Sequence, residues 1–224
     1  MVITIDGPAG SGKSTAAQGL AKALGIGYLD TGATYRAVTL AGLRRQLDLA
    51  DEAALAKLVQ TVDVRLEYHG GQLKVILDGQ DVSREIRSSQ VSDNAHYVAR
   101  CPAVRQVLVE LQRRIGRRLE RDTGGMVTEG RDQGSVVFPD APFKFYLDAS
   151  PETRARRRLA ELSAAGEKTT YEQVLRGLQE RDGRDRGRSL APLVRPDGAD
   201  VIDTTDLDVD GMVAELVRRV KAGE

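Results

Sequence analysis

Cysteine is almost missing from this chain: Cys101 is the only one in 224 residues. A single thiol forms no intrachain disulfide and no cysteine-based metal cluster, which sets aside disulfide scaffolds and zinc fingers. Beside Pro102 it suits a small, half-buried packing residue better than a nucleophile. Tryptophan is absent and only three phenylalanines occur, so the core falls to Val, Leu, Ile and Ala. No apolar run approaches the ~20 residues of a membrane-spanning helix, and the first residues enter a strand without a signal-like segment. A cytoplasmic address, with no membrane partner, is the expectation. The charges balance at 33 Lys+Arg against 33 Asp+Glu, which argues against a nucleic-acid partner. The bases are lopsided, however, with 26 Arg and 7 Lys. Arginine's rigid donor fork suits phosphate.

What is present begins at the N-terminus. Val2 to Ile5 reads as a short buried strand, and Ser14 to Leu24 has helical spacing. Between them lies Gly7-Pro8-Ala9-Gly10-Ser11-Gly12-Lys13-Ser14-Thr15, a complete G-x-x-x-x-G-K-[ST] loop in the strand–loop–helix context that gives the pattern its meaning. Gly7, Gly10 and Gly12 let backbone amides approach a polyphosphate, and the helix N-terminus adds unpaired N–H groups and positive dipole. Lys13 reaches the β/γ-phosphates and the Ser14 hydroxyl serves Mg²⁺. The loop predicts a nucleoside-triphosphate site, with ATP and Mg²⁺ as ligands, but does not name a reaction.

The rest of the chain alternates strand and helix, with one interruption. Tyr28-Leu29 leads as a strand into Asp30-Thr31-Gly32, and helices are expected at 33–47 and 51–62. Alternation over Val62–Tyr68 and Leu73–Leu77, with His69-Gly-Gly71 between, then reads as a hairpin. Such a unit does not belong in a βαβ order, so it is expected to be an insert over about 63–88. A weak helix at 88–99 and a strongly amphipathic one from Pro102 follow. Strands are expected at Met126–Gly130 and Phe143–Asp148, a helix from Pro151 to about Leu162, another at 169–180, a last strand at 199–203 and a closing helix from Val209. The expectation is α/β: a P-loop NTPase three-layer fold with a central parallel sheet, a small antiparallel insert at 63–88 and a helical lid at 166–189. The core takes 1–62, 89–165 and 190–224.

Polar clusters follow three predicted core strands, and the carboxyl ends of parallel strands share one crevice. Asp30, Asp132 and Asp148 all fall there, and none is singled out as a metal-side carboxylate. Arg36 and Arg131 suit a second phosphate group. Each equally suits a surface ion pair with its neighbour, Asp30 or Asp132, and the residues alone leave both readings open. Arg181, Arg184 and Arg188 recur at helical spacing, interrupted by Asp182 and Asp185. Gly183 and Gly187 would let that segment move, as a lid folding guanidinium groups over phosphates. The alternative is a solvated, fraying helix end. Both histidines lie away from the loop, and no N-K-x-D motif supports a GTPase. A donor loop, an arginine pocket for an acceptor phosphate and a lid together describe a two-substrate phosphotransferase. A kinase for another small acceptor and a nucleotide-sensing regulatory protein are the competing classes.

Taken in order, Val2 to Ser14, Leu29 to Arg36, Glu85-Ile-Arg87, Pro102 to Arg105, Glu129-Gly-Arg-Asp132, Gly134 to Ala141 and Arg181 to Arg188 resemble the bacterial cytidylate kinase family, nearly end to end. The resemblance implies a nucleoside monophosphate kinase with CORE, monophosphate-binding domain and LID, transferring phosphate from ATP to CMP or dCMP, with UMP a poor acceptor. It implies small-molecule nucleotides as partners, and a monomer is expected. By motif position Thr31, Arg36, Arg131 and Arg188 would surround the acceptor α-phosphate. Arg181 and Asp185 would approach the sugar hydroxyls, and Arg105 and Asp132 the cytosine edge. Lys13, Arg131, Arg184 and Arg188 would carry catalysis, Arg184 as one of the lid's cations. The resemblance departs at His96, where the family commonly has a serine. Histidine also donates or accepts there but is larger, which bears on the preference for C over U.

Overall fold

The computed structural model describes residues 1–69, 72–164 and 166–223. Two compact units divide them, one from residues 1–29 with 116–224 and the other from residues 30–115.

The first unit is built on a five-stranded sheet in the order β2-β6-β1-β7-β8. Its strands are β1 (Val2–Asp6), β2 (Gly27–Asp30), β6 (Met126–Gly130), β7 (Phe143–Asp148) and β8 (Asp200–Asp203). β1 is central and pairs in parallel with β6 and β7, and β7 pairs in parallel with β8. Strands covered on both faces are expected to be apolar throughout, and β1 is buried from Ile3 to Asp6. Helices α1 (Lys13–Leu24) and α8 (Val209–Gly223) pack on the sheet. Their Ala16, Ala17, Leu20, Met212, Leu216 and Val220 join Ile3, Ile5, Val127, Phe145 and Leu147 in the main core.

In the second unit α2 (Thr31–Arg44) is buried along much of its length, and α3 (Glu52–Val59) and α4 (Ser89–Arg100) belong to the same unit. β3 (Val64–His69), β4 (Gln72–Leu77) and the short β5 (Gln80–Asp81) form the three-stranded antiparallel sheet. Val64, Leu66, Val75 and Leu77 point into the core while Arg65 stays exposed, the two-residue period expected of a half-buried sheet. The Gly70-Gly71 turn lies outside the described residues, and His69 is the last residue of β3. The long helix α5 (Pro102–Thr123) crosses from one unit's residues to the other's at Ile115.

Three features depart from the expected pattern. The helix expected at 51–62 ends at Val59. A π-type turn over Gln133–Val137 follows β6, where no periodicity announced one. The segment with Arg181 to Arg186 is no separate piece, because α7 (Tyr171–Arg186) runs unbroken through Gly183. Thr170 and Gln173 start α7 with a full capping box, and Leu178 and Val174 pack it against Ala155 of α6 (Pro151–Ala164). The inward side of α7 outweighs the roughly 1 kcal/mol that an interior glycine costs a helix.

The core assignment makes a direct prediction. Leu20→Ala removes a side chain that is 0% exposed and should cost about 2–5 kcal/mol in denaturant unfolding. Leu190→Ala, at 42% exposure, should stay within about 0.5 kcal/mol by the same measurement.

Candidate active site

Leaving β1, the chain turns so tightly that only glycine fits. Gly7 has φ +149°, and a Cβ there would lie 2.0 Å from the Leu147 carbonyl oxygen. Ser11 Oγ donates back to the Pro8 carbonyl at 3.1 Å, and Gly12, at φ 87°, opens α1 with no side-chain cap. Nothing on the cap residue competes for the first amides of the helix, and the loop is a backbone cradle suited to an anion. Thr15 is exposed in that first turn.

Lys13 is buried, and its Nζ donates to the Pro8 carbonyl at 2.6 Å. Burial, reinforced by the cations Arg131 and Arg181, lowers its pKa from 10.5 to about 7 against the pull of Glu129 and Asp6. The lysine folds onto its own loop and carries its charge at a cost until an anion arrives. Ser14 Oγ donates to Glu129 Oε1 at 2.7 Å. Glu129 stands one residue before the end of β6 and is buried. A hydroxyl beside a carboxylate at the foot of a phosphate cradle fits Mg²⁺, which takes hard oxygen ligands, keeps several waters and is shared with substrate phosphates.

Glu129 heads one of the motifs of the family resemblance but carried no assigned role from sequence. The signal was the acid at the end of the apolar run Met126-Val-Thr-Glu129, and what hid it was the partner, 115 residues away. Arg154 was also missed. It is buried in α6, where Nη1 donates to the Ala9 carbonyl at 3.1 Å and to Asp182 Oδ2 at 2.5 Å, and Nε to the Ala149 carbonyl at 3.1 Å. Asp182 therefore fastens α7 to the phosphate loop and is not merely neutralising neighbouring arginines.

Arg131 does not pair with Asp132. Its Nε donates to Asp185 Oδ2 at 3.0 Å and its Nη1 to the Gly130 carbonyl at 3.2 Å. Arg188 also donates to Asp185. Burial pushes the Asp185 carboxyl up, but Arg131, Arg188 and Arg181 outweigh it and hold the group below its ordinary value. Lys13, Arg131, Arg181, Asp185 and Arg188 thus form one charged cluster in the first unit. Arg184, on the same helix, is exposed and donates to the Glu180 carbonyl at 3.4 Å. Asp132 is buried and belongs to a different network, taken up below.

The second unit holds the remaining residues. Asp30 caps α2, accepting from the Ala33 amide at 2.9 Å. Its other oxygen accepts from Arg36 Nη2 at 2.9 Å and lies 3.8 Å from Arg87. Thr31, in the first turn of α2, is buried beside this group. Arg105 is buried, with its guanidinium 5.9 Å from the centre of the Tyr35 ring. His96 lies on α4 against Tyr97, with ring centroids 4.0 Å apart.

Comparison with known proteins puts these residues in a family. The family profile described as "Cytidylate kinase" matches residues 3–222. The chain belongs to the cytidylate kinase family. A Cytidylate kinase of Pectobacterium carotovorum subsp. carotovorum is 46% identical over 96% of this chain and 94% of its own. One of Pelotomaculum thermopropionicum is 49% identical over 99% and 96%. A crystal structure of an uncharacterized protein from Eubacterium ventriosum covers 99% of both chains with a TM-score of 0.52 at 12% identity, a likeness of fold alone.

The state of Lys13 makes a prediction for this family member. Polyphosphate binding must raise the Lys13 pKa from its free value of about 7. That contribution to affinity is full below the free pKa and fades as pH rises through the bound one. Calorimetric titration with ATP at about pH 8, in buffers of differing ionisation enthalpy, should show uptake approaching about one proton. Lys13→Met should lose that uptake and keep whatever the nucleotide itself contributes.

Proposed function

We propose that this protein transfers the γ-phosphoryl group of ATP to CMP or dCMP, giving ADP and CDP or dCDP. Family membership along nearly the whole chain supports the reading. The observation that carries it is the charged cluster of the first unit, with Lys13 beside the phosphate loop and Arg131 and Arg188 held on Asp185. Phosphoryl transfer asks chiefly for positioning and for cations where charge develops. An acceptor that is already an anionic phosphate needs no strong base.

In this reading Gly7 to Thr15 hold the triphosphate, and Lys13 follows the charge of the transferred group. Ser14 and Glu129 attend Mg²⁺, which supplies Lewis-acid stabilisation of the phosphates when bound. Thr31, Arg36, Arg131 and Arg188 receive the acceptor phosphate, Arg181 and Asp185 the sugar, and Arg105, Asp132 and His96 the base. Arg184 lies exposed in the lid segment, 166–189, and meets the nucleotides on closure. The 63–88 insert enlarges the monophosphate-binding part. The protein acts as a monomer in the cytoplasm, on small nucleotides and without nucleic acid or membrane. Among the described residues no helix is long and apolar enough to cross a bilayer.

An ADP-release assay with MgATP against CMP, dCMP, UMP, dUMP, AMP and GMP tests the function. CMP and dCMP should turn over well above the rest. Turnover centred on UMP would move the specificity to His96 and its neighbours, and no turnover on CMP or dCMP would overturn the reading. Arg188→Ala should lower kcat about a hundredfold or more with little change in Tm. Unchanged kcat with only weaker ATP binding would remove Arg188 from catalysis.

A further inference from the structure

We propose that Asp6 is a positioning residue that fixes Arg131 and Asp132 for the acceptor nucleotide by capping, from a neighbouring strand, the turn that follows them. The inference rests on the acceptor role given to Arg131 and Asp132 above.

Asp6 ends β1 and stands opposite Gly130 in the parallel register with β6. Beyond Gly130 the strand ladder stops, and the chain passes Arg131 and Asp132 into the π-type turn Gln133–Val137. The first amides of such a turn have no partners within it. The turn's own cap residue, Asp132, makes no side-chain cap bond. The Asp6 carboxylate supplies two bonds instead: Oδ1 accepts from the Gln133 amide at 2.8 Å and Oδ2 from the Gly134 amide at 2.7 Å. One side chain, 127 and 128 residues distant, therefore holds both amides immediately after the pair.

The hold passes onward through Gln133. Its Oε1 accepts from Thr128 Oγ1 at 3.0 Å, and its Nε2 reaches Asp132 Oδ1 at 3.4 Å. The backbone of Gln133 is fixed by Asp6, and its side chain in turn steadies the Asp132 carboxylate. Gly134 is tight against the same strand: a Cβ there would lie 2.8 Å from Thr4 Oγ1 and 3.0 Å from Pro196. On the other side, the next residue along from Asp6 is Gly7, where the phosphate loop begins. One carboxylate, just ahead of the donor loop in the chain, thus sets the placement of two acceptor residues after β6.

The charge is kept there against resistance. Burial raises the Asp6 pKa to about 6; the two amide bonds and Lys13 oppose the rise and Asp132 adds to it. A neutral residue would avoid that resistance but could not accept twice in this geometry. An asparagine offers one carbonyl oxygen and sets its NH₂ against the second amide, donor facing donor.

The test is a steady-state comparison of wild type, Asp6→Asn and Gln133→Met, varying CMP and ATP separately, alongside thermal unfolding. We expect kcat/KM for CMP to fall about tenfold or more in Asp6→Asn, as displacement of positioned groups does. The KM for ATP should stay within about twofold in folded protein. Gln133→Met keeps the backbone amide held by Asp6 and loses the side-chain bonds to Thr128 and Asp132, so its KM for CMP should rise while that for ATP does not. This variant decides the matter if Asp6→Asn does not fold. Unchanged CMP kinetics in the folded variants, or equal losses on CMP and ATP, overturn the assignment. Wild-type protein inactive on CMP overturns the kinase reading and the premise with it, an outcome visible before either variant is made.

Discussion

The functional groups of the first unit depend on the parallel register of three strands. β1 lies between β6 and β7, with Asp6 opposite both Gly130 and Tyr146. Strands that run the same way finish at the same edge, so the phosphate loop after β1, the Arg131-Asp132 pair after β6 and the Asp148 end of β7 all leave the sheet on one side. Close packing and hydrogen bonds then join those exits: Gly7 leaves no room for a Cβ against the Leu147 carbonyl, Ser14 donates to Glu129, and Asp6 holds the turn after β6. A register shift by one residue in β1 would reverse which side chains face the core and break all three ties.

The second constraint is electrostatic. Lys13, Asp6, Glu129, Asp132 and Asp185 are each buried, close to the partly exposed Arg131. Burying so many charges is costly unless each finds an opposite partner or a hydrogen bond. Here the partners are arranged unevenly. Asp185 is served by several arginines and is held ionised, whereas Lys13 donates to a backbone carbonyl and its pKa is drawn down towards neutrality by burial. A polyphosphate supplies what Lys13 lacks. The resident imbalance is therefore selective for an anion at that one nitrogen.

Much of this was legible in the sequence because it is local. The phosphate loop, the alternation of the hairpin strands, Pro151 opening α6 and the helical spacing of the arginines near residue 184 are patterns within a few residues. The residues alone offered Arg36 and Arg131 for a second phosphate, and the family resemblance supplied the rest of the proposed acceptor set. What stayed hidden was pairing at a distance. Arg36 and Arg131 looked alike, each with an aspartate nearby, yet Arg36 takes Asp30 while Arg131 passes over Asp132 for Asp185, 54 residues on. Asp182 read as a local counter-charge and turned out to bind Arg154. Glu129 looked like the polar end of a strand until the Ser14 hydroxyl was placed against it. Gly183 weakens a helix by sequence, yet α7 is helical through it, with Val174 and Leu178 packing its earlier turns.

Both units keep the arginines assigned to phosphate on a carboxylate of their own: Arg36 on Asp30 in the second, Arg131 and Arg188 on Asp185 in the first. Unpaired, partly buried guanidinium groups would swing to solvent. A carboxylate holds them in place, and its single charge with two oxygens is a weaker partner than a phosphate dianion with three. In the proposed acceptor role these forks are oriented in advance, so less ordering entropy would be lost on binding a nucleotide. The exchange also sets a threshold, since a lone monoanion gains nothing over the aspartate it must displace. Under the proposed acceptor roles, a preference for a phosphate monoester over smaller anions would follow from the resident acids as much as from the arginines.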